Sequence, residues 1–392
     1  MNTRFCKWLV SFAVFFCLIF VISTATAKKP VKPPPDDPCL TMDSFSPDYV
    51  FYRDTGTRKN SKSIIFLAES ATGCERALVE FPTVGENGGY IDVRYLKYSS
   101  FIEDGDTFGR VIWRSSLTGI EEIVWSYDFY ISGTELTPNG GLRKVLVNGS
   151  YWDQNVRDFD LSPDTATLAF KLYRNDPATG EHVYDIRLID IDYCHALSSG
   201  CFFEDERAVV LAESRPEGDF NYWLDSPTWG PMGNRVYFTR GEPEYNVLQF
   251  IELDEGWEDE GWPPSFISKD LFSSETQPEF QRVRGHASGF MDGAEYLAIE
   301  RTHELINCGY IYLVNVWDCE SVDNPVCFTG VEFEGTNPSW TKDGKVIHHY
   351  HHSKINRKVC SVWGGKVGLY DGIDVNELTD GYFPDGAGGL PE

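Results

Sequence analysis

Apolar and polar positions alternate along this chain in short runs, and a helical period is not sustained anywhere past residue 27. Six runs read YVFYR (49–53), RVIWR (110–114), TLAFKLY (167–173), RVYFTR (235–240), EYLAIER (295–301) and KVIHHYH (345–351). They are rich in β-branched and aromatic residues, which suit a pleated, half-buried surface. Second runs follow most of them, such as SIIFLAE (63–69), EIVWSYDF (122–129) and YIYLVNVWD (310–318). Third, edge-like runs include RALVEF (76–81), RKVLV (143–147) and AVVLAE (208–213).

Turn signals precede the first runs at even intervals. They are Ser46-Pro47-Asp48, Glu103-Asp104-Gly105, Ser162-Pro163-Asp164, Pro231-Met232-Gly233, Met291-Asp292-Gly293 and Lys342-Asp343-Gly344. Anchors taken at Asp48, Asp104, Asp164, Met232, Asp292 and Asp343 are separated by 56, 60, 68, 60 and 51 residues. Asp-Gly and Pro-Asp favour tight reversals, because glycine takes positive φ and proline presets φ. A large apolar residue stands three places before the anchor at Phe45, Phe101, Leu161, Trp229 and Trp340. Gly289 breaks this pattern, and Phe290 is the expected substitute.

A unit of four antiparallel strands cannot bury both faces by itself. Six such units packed radially can, so the repeat predicts an all-β, six-bladed β-propeller of four-stranded antiparallel blades. The blades are expected near 39–85, 90–150, 155–215, 220–275, 280–334 and 335–392, all within one domain spanning 39–392. Phe383-Pro384-Asp385-Gly386 repeats the turn signal once more. It predicts that the tail closes the ring by giving a strand to the first unit, with residues 40–45 as the alternative.

Residues 1–27 read as a signal peptide. Arg4 and Lys7 precede an uncharged apolar run at 9–22, and Ala25-Thr26-Ala27 forms a cleavage site. That run is too short for a spanning helix, so a periplasmic or secreted protein is expected, without a membrane span after cleavage. Residues 28–38 form a proline-rich linker. The formal net charge of −26 argues against nucleic acid and anionic lipid as partners. The acids cluster at 36–37, 103–106, 204–206 and 254–260, which the repeat places in loops at the rim.

Ten cysteines minus Cys6 and Cys17 of the signal leave an even set. No C-x-x-C occurs, so disulfides in an oxidising compartment are the expectation. Cys194–Cys201 and Cys319–Cys327 fall at matching places in their units, between the third and fourth strands. Cys308 with Cys360 would link neighbouring blades, and Cys39 with Cys74 would serve the first.

Two segments match a known repeat. Pro227-Thr228-Trp229-Gly230-Pro231-Met232-Gly233-Asn234-Arg235-Val236-Tyr237-Phe238 and Pro338-Ser339-Trp340-Thr341-Lys342-Asp343-Gly344-Lys345-Val346-Ile347 resemble the P-x-W-S-P-D-G-x-x-I-x-F repeat of TolB-type propellers. Asp160-Leu161-Ser162-Pro163-Asp164 is a weaker copy. The resemblance implies a six-bladed, WD-like propeller exported to the bacterial periplasm or surface. The N-terminal domain of TolB has no counterpart here.

Catalytic motifs are scarce. G-x-S-x-G, P-loop and G-x-G-x-x-G patterns do not occur, and His303-Glu304-Leu305-Ile306-Asn307 lacks the second histidine of a zinc helix. The sharpest local feature is His348-His349-Tyr350-His351-His352. Side chains alternate on a strand, so His348 and His352 share one face. With a third ligand from a neighbouring strand they would bind a divalent metal. The competing reading is strand residues packed between blades, and no other cofactor is expected. The second feature is the acidic loop 254–264, where Trp257, Asp259 and Trp262 are candidates for partner binding. The functional expectation is an exported, non-catalytic protein- or glycan-binding module of the bacterial envelope. The alternative is a metal-dependent carbohydrate-active enzyme, a lyase or hydrolase, with its site in the central channel.

Overall fold

A computed structural model describes residues 39, 42–55, 62–82, 91–117, 121–147, 155–175, 180–203, 205–214, 223–241, 246–254, 266–273, 283–302, 309–319, 328–350, 366–380 and 382–387. The chain divides into residues 1–41 and a unit spanning Met42–Glu392. The signal and linker segments lie outside the described residues.

The larger unit is an all-β propeller of six blades. The first sheet holds β1 (Tyr49–Thr55), β2 (Lys62–Glu69) and β3 (Cys74–Pro82). The second holds β4 (Ile91–Glu103), β5 (Asp106–Leu117), β6 (Glu121–Ser132) and β7 (Glu135–Val147). The third holds β8 (Asn155–Leu161), β9 (Thr167–Asn175) and β10 (His182–Asp190). A short helix α1 (Ile191–Ala196) and strand β11 (Cys201–Phe202) then precede β12 (Val209–Ser214), its outer strand. The fourth is β13 (Trp223–Trp229), β14 (Arg235–Gly241), β15 (Asn246–Leu253) and β16 (Phe266–Ser273). The fifth is β17 (Val283–Met291), β18 (Ala294–Thr302), β19 (Gly309–Asn315) and, after α2 (Val316–Cys319), β20 (Phe328–Glu334). The sixth is β21 (Thr336–Trp340), β22 (Val346–Tyr350), β23 (Lys366–Tyr370) and β24 (Val375–Asp380).

The last strand, β25 (Tyr382–Gly386), joins the first sheet, which runs β25-β1-β2-β3. Tyr49 faces Gly386 and Tyr52 faces Tyr382 in an antiparallel pair. The C-terminal tail therefore closes the ring. One departure from four strands per blade occurs: β11 adds to β7 in parallel, so an excursion from the third blade borders the second.

The recurrent turns are built in two ways. Asp104 and Gly105 (φ 51° and 90°) and Asp292 and Gly293 (φ 51° and 80°) have positive φ at both central residues. This matches the right-handed twist of a two-residue hairpin. In the third and sixth blades a hydroxyl and an aspartate shape the turn instead. Asp164 accepts from the Ala166 N–H at 3.0 Å, and the Ser162 hydroxyl accepts from the Thr167 N–H at 2.9 Å. Thr341 repeats this role toward the Lys345 N–H at 3.1 Å.

Phe45, Leu161, Trp229 and Trp340 are buried, as their repeated position requires. Phe290 does not fill the gap at Gly289. It is partly exposed and meets Trp317 edge-on. The space at Gly289 is taken by Trp340 of the next blade: an added Cβ would stand 2.1 Å from Trp340 Cγ.

Candidate functional site

Six strands surround the central channel, one from each blade: β25, β4, β8, β13, β17 and β21. Each pairs with the next strand of its sheet through a register that breaks once. The breaks fall between Arg94 and Lys97, Val156 and Phe159, Asp225 and Thr228, Val283 and Gly285, and Thr336 and Ser339, with the sixth in the β1–β25 pair. Such bulges bend a strand and re-aim its side chains. Tyr95, Ser226 and Asn337 occupy the left-handed region there, at φ 53°, 52° and 50°. Non-glycine residues in that region are costly and gather at functional sites. Pro227 and Pro338 follow two of them, where a bulge frees the strand from one ladder donor. The proline of the P-x-W repeat thus marks a bulge at the channel wall.

The bulges enclose a cavity of about 100 Å³ whose lining includes Tyr95, Lys97, Asp158, Phe159, His286 and Asp385. Much of its polar lining stitches blades together. Lys97 Nζ lies 3.2 Å from Asp160 and 3.5 Å from Asp385. Asp385 accepts the Tyr98 N–H at 2.6 Å, and Asp160 accepts the Trp229 N–H at 2.8 Å. Burial would lower the Lys97 pKa, but the two carboxylates outweigh it and hold the lysine charged. Burial pushes Asp385 up to about 6 against the pull of Lys97. Further links are Thr228 Oγ1 to the His286 carbonyl at 2.8 Å and the Gly386 N–H to Ser339 Oγ at 2.9 Å.

Two further lining groups are Asp158, 4.0 Å from Lys171 Nζ, and His286. Asp158 is pushed up to about 8 by burial and by its partner Asp225. Asp225 is itself held below the usual carboxylate range: burial opposes this, but Asp158 and Lys171 prevail, with Lys171 Nζ 2.7 Å away. The pair shares one proton, held on Asp158. His286 is 5% exposed, and neither ring nitrogen has a hydrogen-bond partner among the described residues. Burial drops its pKa to about 3, so it is neutral.

Sequence reading found none of these channel groups as a site. Trp257, Asp259, Trp262 and His352 lie outside the described residues. His348 is fully buried, with its ring 5.1 Å from that of Phe333. No group of three His, Cys, Asp or Glu among the described residues is arranged to hold a metal ion. Burial lowers His348 to about 4. Its folded pKa is below the unfolded value of roughly 6.5, so the unfolded chain takes the proton first. The contribution of neutral His348 is complete above pH 6.5 and lost as pH falls toward 4. His348→Gln should therefore gain on the wild type by roughly 3 kcal/mol between pH 7 and 4 in urea titrations. A constant gap across that range would refute the assignment.

The Cys194–Cys201 disulfide is formed, between β10 and β12 as expected. Cys39, Cys74 and Cys319 are also disulfide-bonded. Cys308, Cys327 and Cys360 lie outside the described residues. These bonds fit an oxidising, extracellular environment. No helix of the described residues is long and apolar enough to cross a membrane.

The disulfide-tethered helix α1 also makes a Ser–His–Asp grouping. His195 Nε2 is 2.6 Å from Ser126 Oγ, and its Nδ1 is 3.8 Å from Asp192. It does not have the form of a nucleophile. Ser126 has no exposed surface, the Asp192 contact is too long for a hydrogen bond, and Asp192 accepts from Arg110 at 2.9 Å. Arg110 in turn grips Asp128 with two bonds of 2.8 Å. Arg110 and Asp128 are buried, and with the exposed Asp192 they tie the second blade to α1.

No family model and no curated protein matches the chain by sequence. Solved structures match it by fold. Prolyl oligopeptidase B from Galerina marginata is 11% identical, covers 85% of this chain and 44% of its own, and has a TM-score of 0.42. The β-propeller domain of the Trilobed protease from Pyrococcus furiosus is 10% identical over 86% of this chain and 97% of its own, with a TM-score of 0.40. Pyrococcus horikoshii acylaminoacyl peptidase is 10% identical over 86% of this chain and 51% of its own, at 0.36. The chain spans about half the length of the full peptidases it matches.

The functional expectation is corrected by this comparison. The three structures named above are of peptidases or of a peptidase's propeller domain, and the expected protein- or glycan-binding envelope module, with its carbohydrate-active alternative, is set aside. The physical reason is that the P-x-W and Asp-Gly signals specify bulges, turns and blade contacts. They fix a fold, and a fold does not fix a function.

Proposed function

We propose that the protein is an exported propeller that handles peptides in company with a peptidase, and that its central channel receives a peptide end or side chain. Residues 1–27 act as its export signal, and its repeat is of the TolB type. The observation that carries the ligand reading is the channel cavity. Its walls combine Phe159, Tyr95, Leu96 and three prolines with a larger number of polar and charged residues, among them Lys97, Asp158 and Asp385. At about 100 Å³ it is smaller than a pocket for a whole drug-sized ligand, roughly 300–1,000 Å³. The end of a longer chain fits a site of that size. The peptidase association extends the names of the fold-sharing proteins to this chain.

The test is retention of peptides from a mixed casein digest on the immobilised full-length protein, read by mass spectrometry. Retained peptides should share a terminal or side-chain feature. A digest that passes unretained, or retained peptides with nothing in common, would defeat the reading.

A further inference from the structure

A second cavity lies along the channel. It measures about 40 Å³, and its lining includes Ser99, Leu161, Trp229, Ser288, Trp340 and Gly386. On each inner strand the residues of this smaller cavity come later than those of the larger one. Ser226 and Pro227 precede Trp229, Asn337 precedes Trp340, and Pro384 precedes Gly386. The larger cavity therefore lies toward the starts of the inner strands, and the smaller one toward the tight turns. Among the described residues, Lys97, Thr228 and Asp385 alone line both.

The partition between the two cavities is an ion bridge. Lys97 reaches from β4 to Asp160 on β8 and Asp385 on β25, so it spans three of the inner strands. Thr228 is held by its bond to the His286 carbonyl at 2.8 Å. An entering group cannot push the lysine aside at small cost, because Asp385 is 4% exposed and would lose its counter-charge.

We propose that Lys97 is the floor of a blind pocket, and that the depth to this floor restricts the ligand to a small group. This rests on the peptide-binding reading and adds which peptides are selected, namely those that present a small end or side chain. The larger cavity has about the volume of three waters in the liquid. A valine- or leucine-sized group, roughly three or four heavy atoms, fills that space. A phenylalanine ring needs the room that the Lys97 side chain occupies. Lys97 is thus a specificity-determining residue that acts by its shape, while its charge serves to anchor it.

The test passes one casein digest over three immobilised full-length proteins: wild type, Lys97→Ala and Lys97→Met. Peptides retained by the wild type should share a small group such as Val or Leu. Lys97→Ala removes the outer atoms of the floor and joins the two cavities. The ratio of Phe-bearing to Leu-bearing peptides at the shared position should then rise at least about tenfold. Lys97→Met keeps the length of the side chain without its charge, and should keep the preference for small groups. Bulky groups retained by the wild type, an unchanged preference in Lys97→Ala, or an equal change in Lys97→Met would overturn the floor and leave the peptide reading standing. If Lys97→Ala does not fold, Lys97→Ala/Asp385→Asn removes the unpaired charge and must show the same widening. No retention on any of the columns would defeat the peptide reading and the floor with it.

Discussion

A chain ending at Thr379 should lose its cooperative thermal transition, or melt far below the intact protein. The truncation removes β25 and with it the fourth strand of the first blade. It also removes Asp385, which holds Lys97 and the Tyr98 N–H of the second blade. The Gly386 N–H that reaches Ser339 of the sixth blade goes too, as does the Ala387 N–H to the Asp48 carbonyl at 2.9 Å. Breaking a buried ion pair by removing one partner costs roughly 3–5 kcal/mol, and each lost hydrogen bond adds about 1 kcal/mol. The total is on the order of the whole stability of a domain, about 5–15 kcal/mol. Calorimetry or far-UV circular dichroism on the truncated chain measures it. A Tm within a degree or two of the intact protein would show that the ring does not depend on β25. Asp385→Asn separates the two contributions. It keeps the strand and an acceptor for Tyr98 but removes the charge opposite Lys97, so it should cost less than the truncation.

The fold was legible because each blade must solve the same problem, and repeats its solution. Asp104-Gly105 and Asp292-Gly293 declare hairpins locally, and Phe45, Leu161, Trp229 and Trp340 recur because each fills the same inter-blade space. The final Phe383-Pro384-Asp385-Gly386 was readable for the same reason. The channel site was not legible. Lys97, Asp158, Asp225, His286 and Asp385 are spread over nearly 290 positions, and nothing in their spacing announces that six bulges will bring them together. His286 looks ordinary in sequence, and only its lack of a partner sets it apart. The acid excess was assigned to rim loops, yet Asp385 and Glu300 are buried at the channel. The signal that was available lay in the bulge residues. Ser226-Pro227 and Asn337-Pro338 repeat a polar–proline pair just ahead of the tryptophan, inside segments that otherwise read as strand.

The second large effect should come from one methyl group at Gly289. Trp340 is 1% exposed, and its indole donates to the Ala287 carbonyl at 3.0 Å. It sits between two glycines of the blades on either side. A Cβ on Gly289 would lie 2.1 Å from Trp340 Cγ and 2.3 Å from Cδ2. The ring cannot retreat the other way without moving its own backbone, whose carbonyl oxygen is 2.1 Å from where a Cβ on Gly386 would stand. Both blades would have to shift, and Gly289→Ala should cost roughly 3 kcal/mol or more by urea unfolding, at the upper end for overpacking. The cause is specific to the indole, so it can be isolated. Trp340→Leu opens a cavity and costs stability by itself, but it also makes room for the methyl. The double variant Gly289→Ala/Trp340→Leu should then be more stable than the sum of the two single losses predicts, by at least about 1 kcal/mol. Strict additivity would mean that Gly289 is required for some reason other than the tryptophan of the neighbouring blade.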